Sequence, residues 1–345
     1  MGELANVYKS VIQYLLIGFS LYSSLLLASQ GESSFAAAEK LYAAGRLTEA
    51  ESLYKTVASD DQNFSQALRR LGAIYYHAGR FALAEEKFAQ YAHLQDSAEA
   101  YTVLAGVQFD LRKFDSATAS AEHAIRLDPS YHKAFTALGR ISAGAGDWPG
   151  AEKAYRESLR LNGGDPDTWL LMGRAYLLRN DFEKAKDAFG ESLRLNPQLV
   201  RNYTNLALAL EALGEDDAAE KVLRQGVKVG ESLAKPDITT SVDYGIFLFE
   251  RGRDVESQEV LRQAIKVSPQ DGDAHYELAR CLFRKKQVRE AAAEAEAALQ
   301  LSGPDYKVHY LLSRIYTVLG DTQNAARHAE EAAHLDDQKL SFTKE

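Results

Sequence analysis

Apolar residues recur along this chain at helical spacing, in pairs of stripes separated by short polar turns. The clearest first stripe consists of Trp169, Met172, Gly173 and Tyr176. Steps of three and four residues return to the same side of a helix, so these residues share one face. The polar turn 179–181 follows, and the second stripe consists of Ala185, Phe189 and Ser192. The pattern predicts a helix–turn–helix unit, whose two helices we call A and B.

The same unit recurs about every 34 residues, and small residues keep their place in it. In helix A the first small position reads Ala38, Gly72, Ala105, Gly139, Gly173, Ala207, Gly245, Ala279 and Ser313. In helix B the small position reads Ala50, Ala84, Ala117, Ala151, Ala185, Ala219, Ser257, Ala291 and Ala325. Two helices approach closely only where no large side chain separates them, and a bulky residue there would cost about 1–3 kcal/mol. We therefore predict that these positions form the joints between helices.

Large residues, glycines and prolines mark the same boundaries. A further helix-B position reads Tyr54, Phe88, Ala121, Tyr155, Phe189, Leu223, Leu261, Ala295 and Ala329. Its large members are predicted to fill the space that the small residues leave. The glycines between helices A and B are Gly45, Gly79, Gly146, Gly214, Gly252 and Gly320. Glycine permits the left-handed backbone that ends a helix tightly. All seven prolines fall at predicted boundaries, as expected from their cost of about 3 kcal/mol inside a helix.

On these residues the chain resembles the tetratricopeptide repeat family across residues 31–339. Nine tandem repeats are predicted to start near Gly31, Ser65, Ala98, His132, Pro166, Val200, Ile238, Gly272 and Tyr306. The resemblance implies an all-α fold, a right-handed α-solenoid of helix–turn–helix repeats. Four extra residues near 235–238 interrupt the period after the sixth repeat. The last helix is predicted at 324–335, and residues 340–345 are predicted to be a short tail.

Residues 1–30 are predicted to lie outside the repeats, because residues 11–28 form the most apolar stretch of the chain. Lys9 precedes this stretch and polar residues follow it, which is typical of a secretory signal peptide or an uncleaved membrane anchor. Either alternative places the repeats outside the cytoplasm, in a periplasmic or secreted protein that an uncleaved segment would tether to a membrane. Glu3 and the serines within the stretch leave a third alternative, an amphipathic cytosolic leader.

The net charge of −9 argues against nucleic-acid binding, which needs a surplus of Lys and Arg. Cys281 is the only cysteine, so the chain can form no internal disulfide and no cysteine-based metal cluster. It lies in an apolar run, which favours a buried core residue over a reactive thiol. We expect no metal and no cofactor.

In tetratricopeptide repeat proteins the A helices line a concave groove that holds a peptide, and the resemblance implies the same here. The register gives as candidate partner-binding residues Arg69, Tyr76, Phe109, Arg140, Arg174, Asn205, Tyr276, Arg280, Phe283, Arg284, Tyr310 and Arg314. Arg and aromatic residues are enriched at binding hot spots. An arginine stripe at one A-helix position, formed by residues 140, 174, 280 and 314, could clamp a carboxylate or an acidic peptide. The alternative is that the arginine stems cover apolar surface and that neighbouring Glu and Asp neutralise their charges.

The predicted function is that of a non-catalytic scaffold or adaptor that binds a protein or peptide partner. No H-E-x-x-H pattern and no Gly-rich phosphate loop is present, so we expect no enzyme activity. Chaperone-binding members of the family grip a C-terminal carboxylate with Lys and Asn, but the matching positions here are Thr136, Arg140, Leu170 and Arg174. The alternative function is a structural subunit of a cell-envelope or secretion complex that docks through the solenoid ends. The sequence leaves the partner and the oligomeric state open.

Overall fold

The computed structural model describes residues 33–342, with side chains through Asp336. The predicted signal or anchor segment, residues 1–30, lies outside the described residues, as does the predicted first repeat start at Gly31. Within residues 33–342, no helix combines the length and apolar character needed to cross a membrane.

The described residues form eighteen α-helices and no strand, so the prediction of an all-α fold is confirmed. They divide into two compact units at Gly163–Gly164. The helices of unit 1 are α1 (Ser34–Ala43), α2 (Leu47–Tyr54), α3 (Phe64–His77), α4 (Phe81–Gln95), α5 (Ala98–Asp110), α6 (Phe114–Leu127), α7 (His132–Gly144) and α8 (Trp148–Leu161). The helices of unit 2 are α9 (Pro166–Leu178), α10 (Phe182–Leu195), α11 (Val200–Ala212), α12 (Asp216–Ser232), α13 (Thr239–Glu250), α14 (Asp254–Val267), α15 (Gly272–Arg284), α16 (Val288–Ser302), α17 (Tyr306–Leu319) and α18 (Thr322–Phe342).

Odd-numbered helices correspond to the predicted A helices and even-numbered helices to the B helices. Each A helix packs against the B helix that follows it, and A helices of adjacent hairpins also touch, as α5 touches α7 and α13 touches α15. Six A helices begin at the predicted residue: Ala98, His132, Pro166, Val200, Gly272 and Tyr306. Pro166 is itself the first residue of α9, where its missing N–H leaves no hydrogen bond unmade. The count of nine repeats and the predicted domain bounds remain predictions.

Glycines in four A helices lie directly against a large side chain of the B helix that follows. A Cβ added to Gly173 would lie 2.7 Å from ring carbons of Phe189, and one added to Gly139 would lie 2.6 Å from the Tyr155 ring. The same contact joins Gly72 to Phe88 and Gly245 to Leu261. At these four positions the large helix-B side chain therefore occupies the space that a helix-A side chain would need.

The turn between helices A and B has a left-handed residue at the same position in all nine described hairpins. Six of these residues are the predicted glycines, with φ between 71° and 83°. The other three are Arg112, Asn180 and Lys286, with φ of 58°, 59° and 62°. The backbone of the turn is therefore conserved along the chain even where glycine is not, and these three residues adopt a conformation that costs most L-amino acids energy.

The four extra residues near 235–238 follow an extended B helix. Helix α12 continues to Ser232, and the chain then folds back so that the Asp237 N–H donates to the Gly230 carbonyl at 3.1 Å. A Cβ at Gly230 would lie 2.2 Å from the Asp237 carbonyl oxygen, so only glycine fits this close approach. At the C-terminal end of unit 2, α18 runs to Phe342 and not to the predicted Leu335.

Cys281 is fully buried in α15, as the sequence favoured. Its Sγ lies 3.0 Å from the Ser257 hydroxyl, and burial raises the pKa of the thiol. The thiol is therefore a packed core group in the native fold.

Candidate functional site

All twelve candidate partner-binding residues lie on A helices. The structure brings Tyr76, Phe109 and Arg140 together in unit 1. In unit 2 it brings together the residues predicted on α15 and α17: Tyr276, Arg280, Phe283, Arg284, Tyr310 and Arg314. Arg69, Arg174 and Asn205 lie on α3, α9 and α11, outside both groups.

In unit 1, a pocket of about 240 Å³ opens between α3, α5 and α7. We call it the Gly106 pocket. Its lining consists of Ala73, Tyr76, His77, Phe88, Val103, Gly106, Val107, Asp110 and Arg140. Apolar groups predominate in this lining, and Asp110 and Arg140 add two opposite charges, which is the composition expected of a site for one side chain of a partner.

The pocket exists because Gly106 has no side chain. Gly106 immediately follows the small residue of α5, the position that holds arginine in α7, α9, α15 and α17. A Cβ at Gly106 would meet only the Arg140 Nη2, at 3.3 Å. The space above Gly106 is thus the volume that an arginine fills in other hairpins. Sequence reasoning missed it because this position was followed only in the helices where it holds arginine.

Arg140 and Tyr76 stand on two sides of this pocket. The Arg140 Cζ lies 4.8 Å from the centroid of the Phe109 ring, and its Nε is buried without a hydrogen-bond partner in the described chain. The Tyr76 hydroxyl donates to the Asp110 carboxylate at 2.7 Å, and this hydrogen bond raises the pKa of Tyr76. The Asp110 carboxylate is therefore hydrogen-bonded to Tyr76, whereas no carboxylate among residues 33–336 forms an ion pair with Arg140.

In unit 2, rings and guanidinium groups alternate across α13, α15 and α17. We call this surface the arginine–aromatic ladder, and it consists of Phe249, Tyr276, Arg280, Phe283, Arg284, Tyr310 and Arg314. Arg284 lies 3.4 Å and Arg280 4.6 Å from the centroid of the Phe249 ring. Arg314 lies 5.3 Å from the Phe283 centroid. Tyr310, with 58% of its surface exposed, presents the ladder to solvent.

The stacking follows the register of the repeats. In three A helices, the residue directly after the small residue is an arginine that stacks on a phenylalanine. That phenylalanine lies in the preceding A helix, four residues after its small residue. The three pairs are Phe109–Arg140, Phe249–Arg280 and Phe283–Arg314. Each such contact contributes about 0.5–2 kcal/mol and fixes the guanidinium in place. Phe249 was missed in the sequence, although its spacing to Arg280 matches the other two pairs.

Neighbouring carboxylates neutralise some of the arginines but not all of them. Arg280 forms an ion pair with Glu277 at 2.5 Å, and Arg284 pairs with Asp254. Arg69 lies 3.4 Å from Glu99. Arg174 and Arg314 are exposed and make no ion pair or hydrogen bond within the part of the chain that the structure describes. The charge-neutralisation alternative therefore fits Arg280 and fails for Arg174 and Arg314.

Unit 2 has a pocket of about 260 Å³ between α11 and α13, and its lining is acidic. Its lining includes Glu211, Asp243 and Glu250 beside the apolar Leu208 and Ile246. Burial raises the pKa of both Glu211 and Asp243, and the Thr204 hydroxyl donates to Asp243 at 2.5 Å. The A-helix surface of unit 2 thus carries opposite charges on neighbouring helices.

Two family models match the chain. The model described as "Tetratricopeptide repeat" matches residues 35–99 and 103–166. The model described as "Cilia and flagella-associated protein 70 C-terminal domain" matches residues 165–309. No curated protein sequence matches the chain.

Several solved structures share the fold. Yeast Tom70 aligns with a TM-score of 0.60 and 16% identity, over 85% of this chain and 59% of that chain. A tetratricopeptide repeat protein from Parabacteroides merdae aligns with a TM-score of 0.51 and 15% identity, over 73% of this chain and 98% of that chain. At identities this low, the likeness concerns the fold alone.

The joints, the left-handed turns and the helix order define a protein of stacked helix–turn–helix repeats. With the family models matching from residue 35 to residue 309, the chain belongs to the tetratricopeptide repeat family.

Proposed function

We propose that this protein is an interaction scaffold whose A-helix surfaces bind a segment of a partner protein. The observation that carries the proposal is the presence of guanidinium groups without a carboxylate partner beside aromatic rings. Arg314 is held by Phe283 and Tyr310, and Arg140 by Phe109. Fixed arginines lose little freedom on binding and form strong, directional hydrogen bonds to carboxylates. The preferred partner segment therefore carries acidic side chains opposite the arginines.

The Gly106 pocket would accept one apolar side chain of the partner. Its walls are mostly hydrocarbon and it is bordered by the Tyr76 ring, so burial of an anchor side chain there releases water from apolar surface. We infer that acidic residues flanking this anchor would face Arg140.

Selection of a random peptide library on the full chain tests both statements. We expect the selected peptides to be acidic with an apolar anchor. Arg314→Glu and Arg174→Glu should each weaken peptides bound to unit 2 at least about tenfold, because they replace an attraction by a repulsion. The matched control is Arg194→Glu on helix α10, where Arg194 already pairs with Glu191 on an exposed surface. Equal losses in Arg194→Glu, or none in the two test variants, would contradict the proposed surface.

The pocket has its own test. In Gly106→Leu the added Cβ meets only the flexible end of Arg140, and the rest of the side chain would extend into the pocket, so the melting temperature should change little. A peptide anchored in unit 1 should then bind at least about tenfold more weakly. Gly190→Leu is the control, since an added Cβ at Gly190 meets nothing within 4 Å. Undiminished binding by Gly106→Leu would exclude the pocket as an anchor site.

We further propose that the repeats act outside the cytoplasm. The support is the apolar stretch 11–28, which is typical of a signal peptide or membrane anchor. Cell fractionation with N-terminal sequencing distinguishes cleavage, tethering and a cytosolic protein carrying its intact leader. The third outcome would refute this proposal.

A further inference from the structure

Two buried histidines face each other in the last described hairpin. His309 of α17 is 7% exposed and His328 of α18 is 2% exposed. Their Nδ1 atoms are 3.0 Å apart. A hydrogen bond between two imidazole nitrogens requires that one carries a proton and the other does not. The contact therefore restricts the protonation of both rings.

Arg327 settles which nitrogen carries the proton. Its Nη2 lies 3.0 Å from the Nε2 of His328. A guanidinium can only donate, so the Nε2 of His328 accepts and its proton lies on Nδ1. That Nδ1 then donates to the Nδ1 of His309. Both rings are neutral in this arrangement, and a further proton on either ring replaces a hydrogen bond by a contact between two donors.

Charged and titratable groups face His328 from each helix packed against it. Helix α16 provides Glu296, whose Oε1 lies 3.6 Å from the His328 Nε2 but accepts from the Tyr316 hydroxyl at 2.9 Å. Helix α17 provides His309 and Tyr316, whose ring stacks on that of His328 at 5.7 Å. Helix α18 itself provides Arg327 and Glu331. Burial and Arg327 lower the pKa of His328 and outweigh the two glutamates.

Helix α17 also carries part of the arginine–aromatic ladder. Tyr310 follows His309 directly in sequence, and Arg314 lies one helical turn beyond it. An opening that unfolds α17 together with α18 would remove both residues from their places beside Phe283. That end of the ladder is therefore complete only while α17 stays folded in the core that it shares with α15 and α16.

We propose that the His309–His328 pair is an acid-sensitive latch: proton uptake opens the α17–α18 hairpin, disassembles that end of the ladder and releases an acidic partner. The release step rests on the proposed function, whereas opening of the hairpin does not. The sign follows from linkage: burial lowers the pKa of His328 in the folded hairpin, so its neutral ring adds stability above the unfolded-state pKa of about 6.5, and this stability is lost as the pH falls from there towards the lower folded-state value. At pH 5.5 one histidine with that unfolded-state pKa favours opening by at most about tenfold.

Hydrogen–deuterium exchange of the full chain tests the latch without any ligand. After correction for intrinsic exchange, opening of α17 and α18 should increase by up to about tenfold between pH 7.5 and pH 5.5, relative to α3 and α4. The double variant His309→Asn/His328→Asn keeps a donor facing an acceptor but cannot titrate, so this increase should disappear. His93→Asn is the control, since His93 is exposed on α4, and it should behave as the wild type.

Two outcomes would overturn the latch: a wild-type change of less than threefold, or an unchanged pH response in the double variant. If α17 and α18 of the double variant are unprotected from exchange at pH 7.5, the variants His309→Asn and His328→Asn are measured separately. Each should show a smaller increase in exchange at pH 5.5 than the wild type. Binding of an oligo-aspartate peptide is the second readout, and its affinity should fall with pH in the wild type but not in the non-titrating variant. If the wild type does not bind this peptide at pH 7.5, the proposed function is contradicted. The exchange experiment would still test the latch by itself.

Discussion

The contact between Gly173 and Phe189 allows one methyl group to test how the helices are joined. In Gly173→Ala the new Cβ would lie 2.7 Å from two carbons of the Phe189 ring, whereas unstrained carbons stay about 3.5–4.0 Å apart. Phe189 is fully buried, so its ring has little room to move away. We expect overpacking to cost about 3 kcal/mol and the better helix propensity of alanine to return about 1 kcal/mol. The net loss in the free energy of unfolding is then about 2 kcal/mol.

The same substitution at Gly190 provides the matched control. Gly190 lies in α10, and an added Cβ meets nothing within 4 Å. Gly190→Ala should therefore stabilise the protein by about 0.8–1 kcal/mol, the propensity difference alone. Urea unfolding followed by circular dichroism at a single protein concentration measures both values. Stabilisation by Gly173→Ala of the size seen at Gly190 would refute the close contact.

A second substitution in the same joint separates steric overlap from other effects. Phe189→Leu combined with Gly173→Ala recreates the alanine–leucine pair that Ala207 and Leu223 form in the next hairpin. The double variant should be more stable than the sum of the single changes predicts, by at least about 1 kcal/mol. Strict additivity would mean that the ring and the methyl group do not compete for the same space.

The structure supports three further predictions. Lys286→Gly should stabilise the protein by up to about 1 kcal/mol, because glycine adopts the left-handed backbone conformation without the strain that lysine has there. Asn180→Gly should change the stability little, since asparagine tolerates that conformation, and urea unfolding measures both variants. Hydrogen bonds to the Glu220 carboxylate, of which that from Arg253 has the largest effect, lower its pKa to about 2. The ionised carboxylate therefore stabilises the folded protein fully above pH 4.5, and this stabilisation is lost as the pH falls towards 2. Glu220→Gln should thus cost about 1 kcal/mol at pH 7, and that difference should shrink over the acid range. Cys281 should resist thiol labelling until urea unfolds the chain.

The helix boundaries could be predicted because their signals are local. The joint at Gly173 needs a thin residue, and the starts of helices such as α7 and α15 lie at fixed distances from such residues. The left-handed turn at Lys286 could not be predicted in this way. A lysine there gives no local signal, and the conformation is imposed by the two helices that the turn connects.

The candidate site was predictable in register but not in charge. The sequence placed Arg280 and Arg314 on the same position of successive A helices, which the structure reproduces. The sequence could not show that Glu277 neutralises Arg280 while Arg314 has no carboxylate partner among the described residues, because ion pairing depends on the directions of the side chains. The Gly106 pocket and the His309–His328 pair depend on contacts between different helices, and neither has a motif of its own.

The joints and the candidate site are physically connected. A small residue lets an A helix pack closely on the B helix that follows it. The side chains one and four residues beyond that small residue meet their counterparts on the neighbouring A helices. Phenylalanine and arginine at these positions stack, as Phe283 and Arg314 do, whereas a glycine such as Gly106 leaves a pocket. The small residue is thus fixed by the fold, and the residue beside it is free to vary. Differences at that second position therefore set the chemistry of the A-helix surface without altering the joint that supports it.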